Sequence, residues 1–256
     1  MIDLHSHLLP GVDDGSRSVT QSVDVLNRMA AQGITDVCLT PHLEAGRAVR
    51  GIPPAHEEAF RQLSASAPAS VRLHRGVEMM LDRPLADAAA ANRRLTLGGS
   101  RFILVEFTTH IAPPAAANAL RQLVQQGLTP LLAHPERYAC CTPTVVAEWR
   151  RTGAVMQVDA TTLFMPRTRG NRARALLEHG LADVLAADNH GDQRLLSTAY
   201  RLLAEHDALE QAQLLTRGNP AAILSDGTTA PVPPFVIKRP LLSRLKDLLT
   251  EGDGWT

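Results

Sequence analysis

Apolar residues in this chain fall into short runs separated by longer stretches in which they recur every three or four positions. The runs at 35–40, 71–76, 101–105, 129–133, 154–158 and 182–187 read as strands. Amphipathic periodicity predicts helices near 55–65, 84–92, 115–126, 144–152 and 172–179. An earlier helix, capped by Ser18 or Thr20, carries Val23, Leu26 and Met29-Ala30. Gly33, Gly127, Gly153 and Gly180 stop four of these helices, as a C-terminal glycine commonly does. With an N-terminal strand the count is about seven strands, and the rhythm repeats every ~25–30 residues, the size of a βα unit. Near-continuous apolar strands alternating with helices predict an α/β fold built on a parallel sheet or barrel. From Asp192 onward the pattern is helical. Pro231-Val232-Pro233-Pro234 opens a tail expected to dock through Leu241, Leu242 and Leu245, which divides the chain into 1–228 and 229–256.

The polar residues change this picture most. In Asp3-Leu4-His5-Ser6-His7 a period of two sends Asp3, His5 and His7 to one side of a strand. This is either an ordinary polar strand terminus or the start of a metal site. His42, Glu78, Glu106, His134, and Asp188 with His190 each fall at the C-terminal end of another predicted strand. In a parallel α/β barrel those ends converge on the face that carries the active site. One such residue is more often structural; a whole set obeying one rule is a site. Imidazoles and carboxylates suit zinc, manganese or iron, and there are too many for one tetrahedral ion, so a multinuclear centre is expected. Metals about 3.5–4 Å apart neutralise charge on a transferring phosphoryl group, and the forked guanidiniums of Arg137 and Arg194 suit a phosphate clamp.

Composition narrows the chemistry further. Both lysines, Lys238 and Lys246, lie near the C-terminus, so no lysine precedes position 238 to bridge metals as a carbamate. Glu78 is the better bridge. A cysteine phosphatase needs an arginine six positions after its nucleophile, where Cys38, Cys140 and Cys141 have Glu44, Val146 and Ala147. A metal-activated water is left as the nucleophile. The 256 residues are 45% hydrophobic and 20% charged with zero net charge, ordinary for a globular chain and poor for binding nucleic acid or anionic membrane. Three cysteines, two adjacent, make no disulfide framework; with no signal-like start and no membrane-length apolar run, a cytoplasmic location is expected.

Several motifs occur in order: Asp3-x-His5-x-His7, Val12-Asp13-Asp14-Gly15, Thr40-Pro41-His42, Gly76-Val77-Glu78, Val105-Glu106-Phe107, Ala133-His134-Pro135-Glu136-Arg137-Tyr138 and Asp188-x-His190. Together they resemble the PHP (polymerase and histidinol phosphatase) superfamily, most closely its branch of manganese-dependent protein-tyrosine phosphatases from bacterial capsule and exopolysaccharide operons. The resemblance runs from residue 1 to about 190, and Asn219-Pro220 resembles the start of that branch's terminal helix. It implies a distorted seven-stranded (β/α)7 barrel holding three divalent ions, manganese first and iron or zinc as alternatives. His5, His7 and Asp188 would bind the first ion and Glu106 with His134 the second, bridged by Glu78. Asp14, His42 and His190 would bind the third, with Asp13 or Asp14 left open as the ligand. Arg137 and Arg194 would hold phosphate while a metal-bridged hydroxide releases tyrosine from the tail of a polysaccharide-synthesis tyrosine kinase. Two further readings keep the same residues: a phosphatase for a small ester such as histidinol phosphate or a nucleotide, and a catalytically silent scaffold. The chain departs from the pattern in short segments after His42 and His190 and in Asp159, which stands in place of Asn. Arg47 is a candidate substrate contact, and His110 a candidate lining residue. His56, His74, His179 and His206 are expected at the surface.

Overall fold

The computed structural model describes residues 1–237, and Leu241, Leu242 and Leu245 lie outside them. Nine parallel strands run Ile2–Asp3 (β1), Asp36–Leu39 (β2), His42–Glu44 (β3), Arg72–Arg75 (β4), Glu78–Met80 (β5), Phe102–Glu106 (β6), Thr129–Ala133 (β7), Val155–Asp159 (β8) and Val184–Ala186 (β9). They form two sheets, ordered β1-β2-β4 and β3-β5-β6-β7-β8-β9. The main helices are Val19–Ala31 (α1), Ala45–Ala48 (α2), Pro54–Ser66 (α3), Asp87–Ala90 (α4), Pro113–Gln125 (α5), Pro143–Arg150 (α6), Arg167–Glu178 (α7) and Leu196–Glu205 (α8). No helix among the described residues is long and apolar enough to cross a membrane.

The strand pairing is therefore two parallel sheets rather than one closed seven-stranded barrel. All seven expected runs are present, and two of them are followed by an additional short strand, β3 after β2 and β5 after β4. Between β2 and β3 stands Pro41, which has no N–H to donate to a neighbour. Between β4 and β5 stands Gly76, where a Cβ would lie 2.9 Å from Leu97 Cδ2 and 3.2 Å from Thr40 Cγ2. Leu39 pairs with Arg75 below the break and His42 with Glu78 above it, so both strands crease at one level. Above the crease the two sheets still touch: Ser6 bridges Asn189 in parallel, and His7 N–H donates to Asn189 O at 2.8 Å.

Helix α1 shows how the sequence seats its elements. Ser18 accepts from Gln21 N–H as the N-cap, and Ser22, Val25, Leu26 and Met29 form the buried stripe at i, i+3, i+4 and i+7. Gly33 follows at φ 79°, freeing Ile34 N–H to donate back to Met29 O. The helix expected over 84–92 shortens to α4, because Asn92 turns its side chain onto Arg94 N–H and begins a 3₁₀ turn. A small apolar cluster of Leu4, Cys38, Phe102, Leu104, Leu131, Ala133, Val155 and Val184 lies beneath the site, with Leu97 and Ile223 below. Along β6 and β8 the same face continues from Leu104 to Glu106 and from Val155 through Gln157 to Asp159. The first residues of the expected tail are docked: Val232 and Ile237 are buried, and Phe235 N–H donates to Leu177 O.

Candidate metal centre

The segments after β1, β7 and β9, the first residues of β3 and β5 and the last of β6 deliver donors to a single cluster. His5 and His7 are fully buried, and their Nε2 atoms face each other at 3.1 Å. The outer nitrogens are already committed: His5 Nδ1 lies 2.9 Å from Gln157 Oε1, and His7 Nδ1 lies 2.8 Å from Asp13 Oδ2. With those acceptors taking the Nδ1 protons, two Nε2 lone pairs point at one another. That contact is repulsive unless a cation sits between them. Glu78 Oε2 lies 3.3, 3.2 and 3.1 Å from His5 Nε2, His7 Nε2 and His42 Nδ1, while its Oε1 lies 3.0 Å from His134 Nε2. Asp188 Oδ1 is 3.2 and 3.3 Å from the first two imidazoles.

The second half of the cluster opens toward solvent. Glu106 Oε1 is 3.2 Å from His42 Nδ1, and its Oε2 is 3.8 Å from His134 Nε2. Asp14 Oδ1 lies 3.4 Å from His42 Nε2 and 3.5 Å from His190 Nε2. Four groups have ligand atoms close enough to share an ion: His5-His7-Asp188, His5-Glu78-His134, His42-Glu78-Glu106 and His7-Asp14-His42-His190. Metal–ligand bonds of about 2.1 Å place neighbouring ligand atoms about 3.0–3.4 Å apart, which matches most of these separations. His42 Nδ1, Glu106 Oε1 and Asp188 Oδ1 are buried with no hydrogen-bond partner, a costly condition that a bound cation relieves. The donor set fits metal.

Backbone conformation places these groups as much as strand geometry does. His134 and Asp188 both follow strands with positive φ, 35° and 48°, a left-handed turn that costs a non-glycine residue about 1–2 kcal/mol. Gly15 packs against His7 so closely that an added Cβ would collide with the His7 carbonyl. That approach lets Asp13 reach the His7 ring while also accepting from Gly15 N–H at 3.0 Å. Asp13 thus orients His7, and Asp14, with an exposed side chain, faces His42 and His190. Replacing Asp13 by alanine is expected to weaken metal binding about 10–100-fold, and by asparagine less, because an acceptor oxygen remains; metal titration of the two variants checks this.

Electrostatics favour protonated His5, His7 and His42 in protein stripped of metal, whereas burial and the charge of His7 lower His190. Burial alone would depress the first three as well, but Glu106 and Glu78 outweigh it and push His42 up to about 10. Glu78 and Asp188 raise His5 against its burial, and Asp13, Asp188 and Glu78 raise His7. Against their own burial, Glu78 and Asp188 are held well below the usual carboxylate range, led in each case by His5. Metal must displace those protons, so apparent affinity should rise with pH through neutrality toward about 10, with proton release on binding. Calorimetry in two buffers of different ionisation enthalpy reads the release directly; none at pH 7 would contradict these charges.

Around the cluster, Arg137 pairs with Asp188 and with Asp159, at 2.7 Å in the latter case. Asp159 is buried and also accepts from Thr161 N–H and Oγ1, so it anchors Arg137 rather than ending a strand in solvent. Arg194 stands 3.7 Å from Asp188 and is held by Asp192 at 2.7 Å. Burial pushes Asp3 up to about 7, and burial together with the charge of Asp159 pushes Glu136 up to about 8. Gln157 was not among the expected site residues. Its signal was an amide inside an apolar strand, two positions before Asp159. His110 is exposed and outside the four groups, and Arg47 pairs with Glu44 at the surface. His56 is buried and His74 half-buried against Asp36, so the surface expectation fails for both.

Known proteins share this architecture. Tyrosine-protein phosphatase YwqE of Bacillus subtilis (strain 168) is 29% identical over 250 residues, covering 93% of this chain and 97% of that protein. Tyrosine-protein phosphatase CpsB of Streptococcus pneumoniae is 28% identical over 240 residues, covering 88% and 99%. A solved structure from work on those two proteins, described as unique metal-dependent tyrosine phosphatases, superposes with a TM-score of 0.78 at 25% identity, covering 93% of this chain and 100% of that one. Dihydropyrimidinase from Brevibacillus agri shares the fold alone, at 11% identity and a TM-score of 0.57 over 90% of this chain and 72% of that one. The model of the capsular polysaccharide synthesis family CpsB/CapC matches residues 1–225, and the chain belongs to that family.

Proposed function

We propose that this protein is a metal-dependent protein-tyrosine phosphatase whose substrate is a phosphotyrosyl protein, such as the tail of a polysaccharide-synthesis tyrosine kinase. The observation that carries the reading is the pair of His5 and His7 Nε2 atoms facing each other at 3.1 Å beside the Glu78 and Asp188 carboxylates, in a chain whose relatives are named tyrosine-protein phosphatases. His5, His7 and Asp188 would hold one ion. Glu106 and His134 would hold a second, with Glu78 shared between the two. Asp14, His42 and His190 would hold a third. A carboxylate-rich set of this kind suits manganese. Bound ions supply a nucleophile at neutral pH and neutralise phosphoryl charge.

The chain's own residues do the rest. Glu78 neutralises the ions at the centre of the cluster, and Gln157 and Asp13 fix the ring tautomers of His5 and His7. Arg137, positioned by Asp159, and Arg194, positioned by Asp192, present guanidinium forks to phosphoryl oxygens. The absence of lysine before position 238 rules out a carbamate bridge in this domain. Residues 1–228 would form the catalytic unit, and the rest of the chain an appended tail.

The test is a panel of a phosphotyrosine peptide, histidinol phosphate and a nucleotide, each with and without Mn²⁺. Peptide hydrolysis stimulated by Mn²⁺ and abolished by chelator is expected. Clear preference for histidinol phosphate would overturn the tyrosine assignment, and bound metal with no turnover of any substrate would favour a scaffold.

A further inference from the structure

A cleft of about 610 Å³ opens beside the metal centre, and Asp14 and His42 belong to both. Whatever fills this cleft therefore lies next to the scissile bond. Its walls are largely apolar: Val12, Leu43, Ile52, Pro53, Pro54 and Met80. Two of its polar groups stand out. His56, on α3, is 8% exposed, and its Nδ1 is buried with no hydrogen-bond partner. Arg50, which also lines the cleft, is exposed and makes no ion pair among the described residues. Arg47, by contrast, is already matched by Glu44 at 2.9 Å.

An apolar slot next to a phosphoryl-binding centre suits an aryl leaving group, because burying a ring gains hydrophobic energy that a small polar alcohol does not. The unpartnered Nδ1 of His56 is covered as the ring stands, and rotation of the ring toward the cleft it lines would let an incoming N–H satisfy it. An unpaired guanidinium at the same cleft favours a negative charge beside the ring. Burial lowers the pKa of His56, despite Asp13 and Glu57 nearby, so its ring is neutral and adds no charge of its own.

We infer that this cleft receives the tyrosyl ring and the adjoining backbone of a phosphotyrosyl peptide, that His56 hydrogen-bonds to that peptide, and that Arg50 selects an acidic residue flanking the phosphotyrosine. The inference rests on the tyrosine-phosphatase reading and adds a sequence preference to it.

Two phosphotyrosine peptides, one with glutamates flanking the phosphotyrosine and one with alanines, are compared with 4-nitrophenyl phosphate. The native protein is expected to prefer the glutamate peptide in kcat/KM by about 2- to 5-fold, the upper part of the range of an exposed charge pair. Arg50→Ala should erase that preference and leave 4-nitrophenyl phosphate turnover unchanged, while Arg50→Lys keeps part of it. His56→Leu should raise KM for both peptides and leave kcat alone. Fluorescence anisotropy with difluoromethylene-phosphonate versions of the two peptides should show the same ratio in Kd. Equal kcat/KM and equal Kd for the two peptides in the native protein would overturn the inference, as would an Arg50→Ala loss shared by all three substrates. Failure of the tyrosine reading itself looks different: no aryl phosphate is turned over while histidinol phosphate or a nucleotide is.

Discussion

Glu78→Gln is expected to reduce kcat/KM on a phosphotyrosine peptide by about 10³-fold or more, equivalent to ~4 kcal/mol of transition-state stabilisation. The two side chains are nearly the same size, so the fold should survive. What changes is charge at the most shared point of the cluster. Glu78 has one oxygen within 3.3 Å of three imidazoles and the other 3.0 Å from a fourth. An amide would turn an N–H toward two or more of those lone pairs and could not neutralise two cations. Metal content should fall together with activity, which separates this effect from loss of substrate binding alone. A variant that kept both its full metal complement and its activity would show that Glu78 is not the shared ligand.

Gly15→Ala should be nearly as damaging although residue 15 has no functional group. The new methyl would collide with the His7 carbonyl, so the loop from Pro10 to Ser16 must retreat. Overpacking of this kind costs about 1–3 kcal/mol of stability, which thermal unfolding would register. The larger loss is expected in activity. Asp13 would withdraw from His7 Nδ1 and Asp14 from His42 and His190, and a shift of about 1 Å in such groups costs about 100-fold. Unchanged kinetics in Gly15→Ala would mean that the loop adapts without moving its carboxylates.

Much of this centre was legible because its chemistry follows a positional rule: His5, His7, Glu106, His134, Asp188 and His190 stand at or just past C-terminal strand ends, whereas His42 and Glu78 follow β2 and β4 but open the short strands β3 and β5, and the structure gathers all of them. The choice between Asp13 and Asp14 was not legible, since adjacent residues differ in direction only once Gly15 has fixed the loop. The resumed pairing in β3 and β5, beyond Pro41 and Gly76, was hidden for a related reason. Hydrophobic pattern marks a run as extended but is blind to which of its amides find a neighbour. Gln157 was passed over because a lone amide in an apolar strand carries no metal signature. His56 was expected at the surface because it matched no metal motif, and the structure instead buries it on α3 at the border of the cleft. The left-handed turns at His134 and Asp188 left no trace in sequence, as neither is a glycine.

The shared crease gives the ions a mechanical part. His5 and His7 extend from the three-stranded sheet, whereas His42, Glu78, Glu106, His134 and Asp188 extend from or follow strands of the six-stranded one. Ions held by both sets would rivet the upper rims of two layers that backbone pairing joins only sparsely at that level. Loading metal would then raise the melting temperature of the whole fold. A cell short of the metal would accordingly lose the protein to proteolysis as well as losing its catalysis.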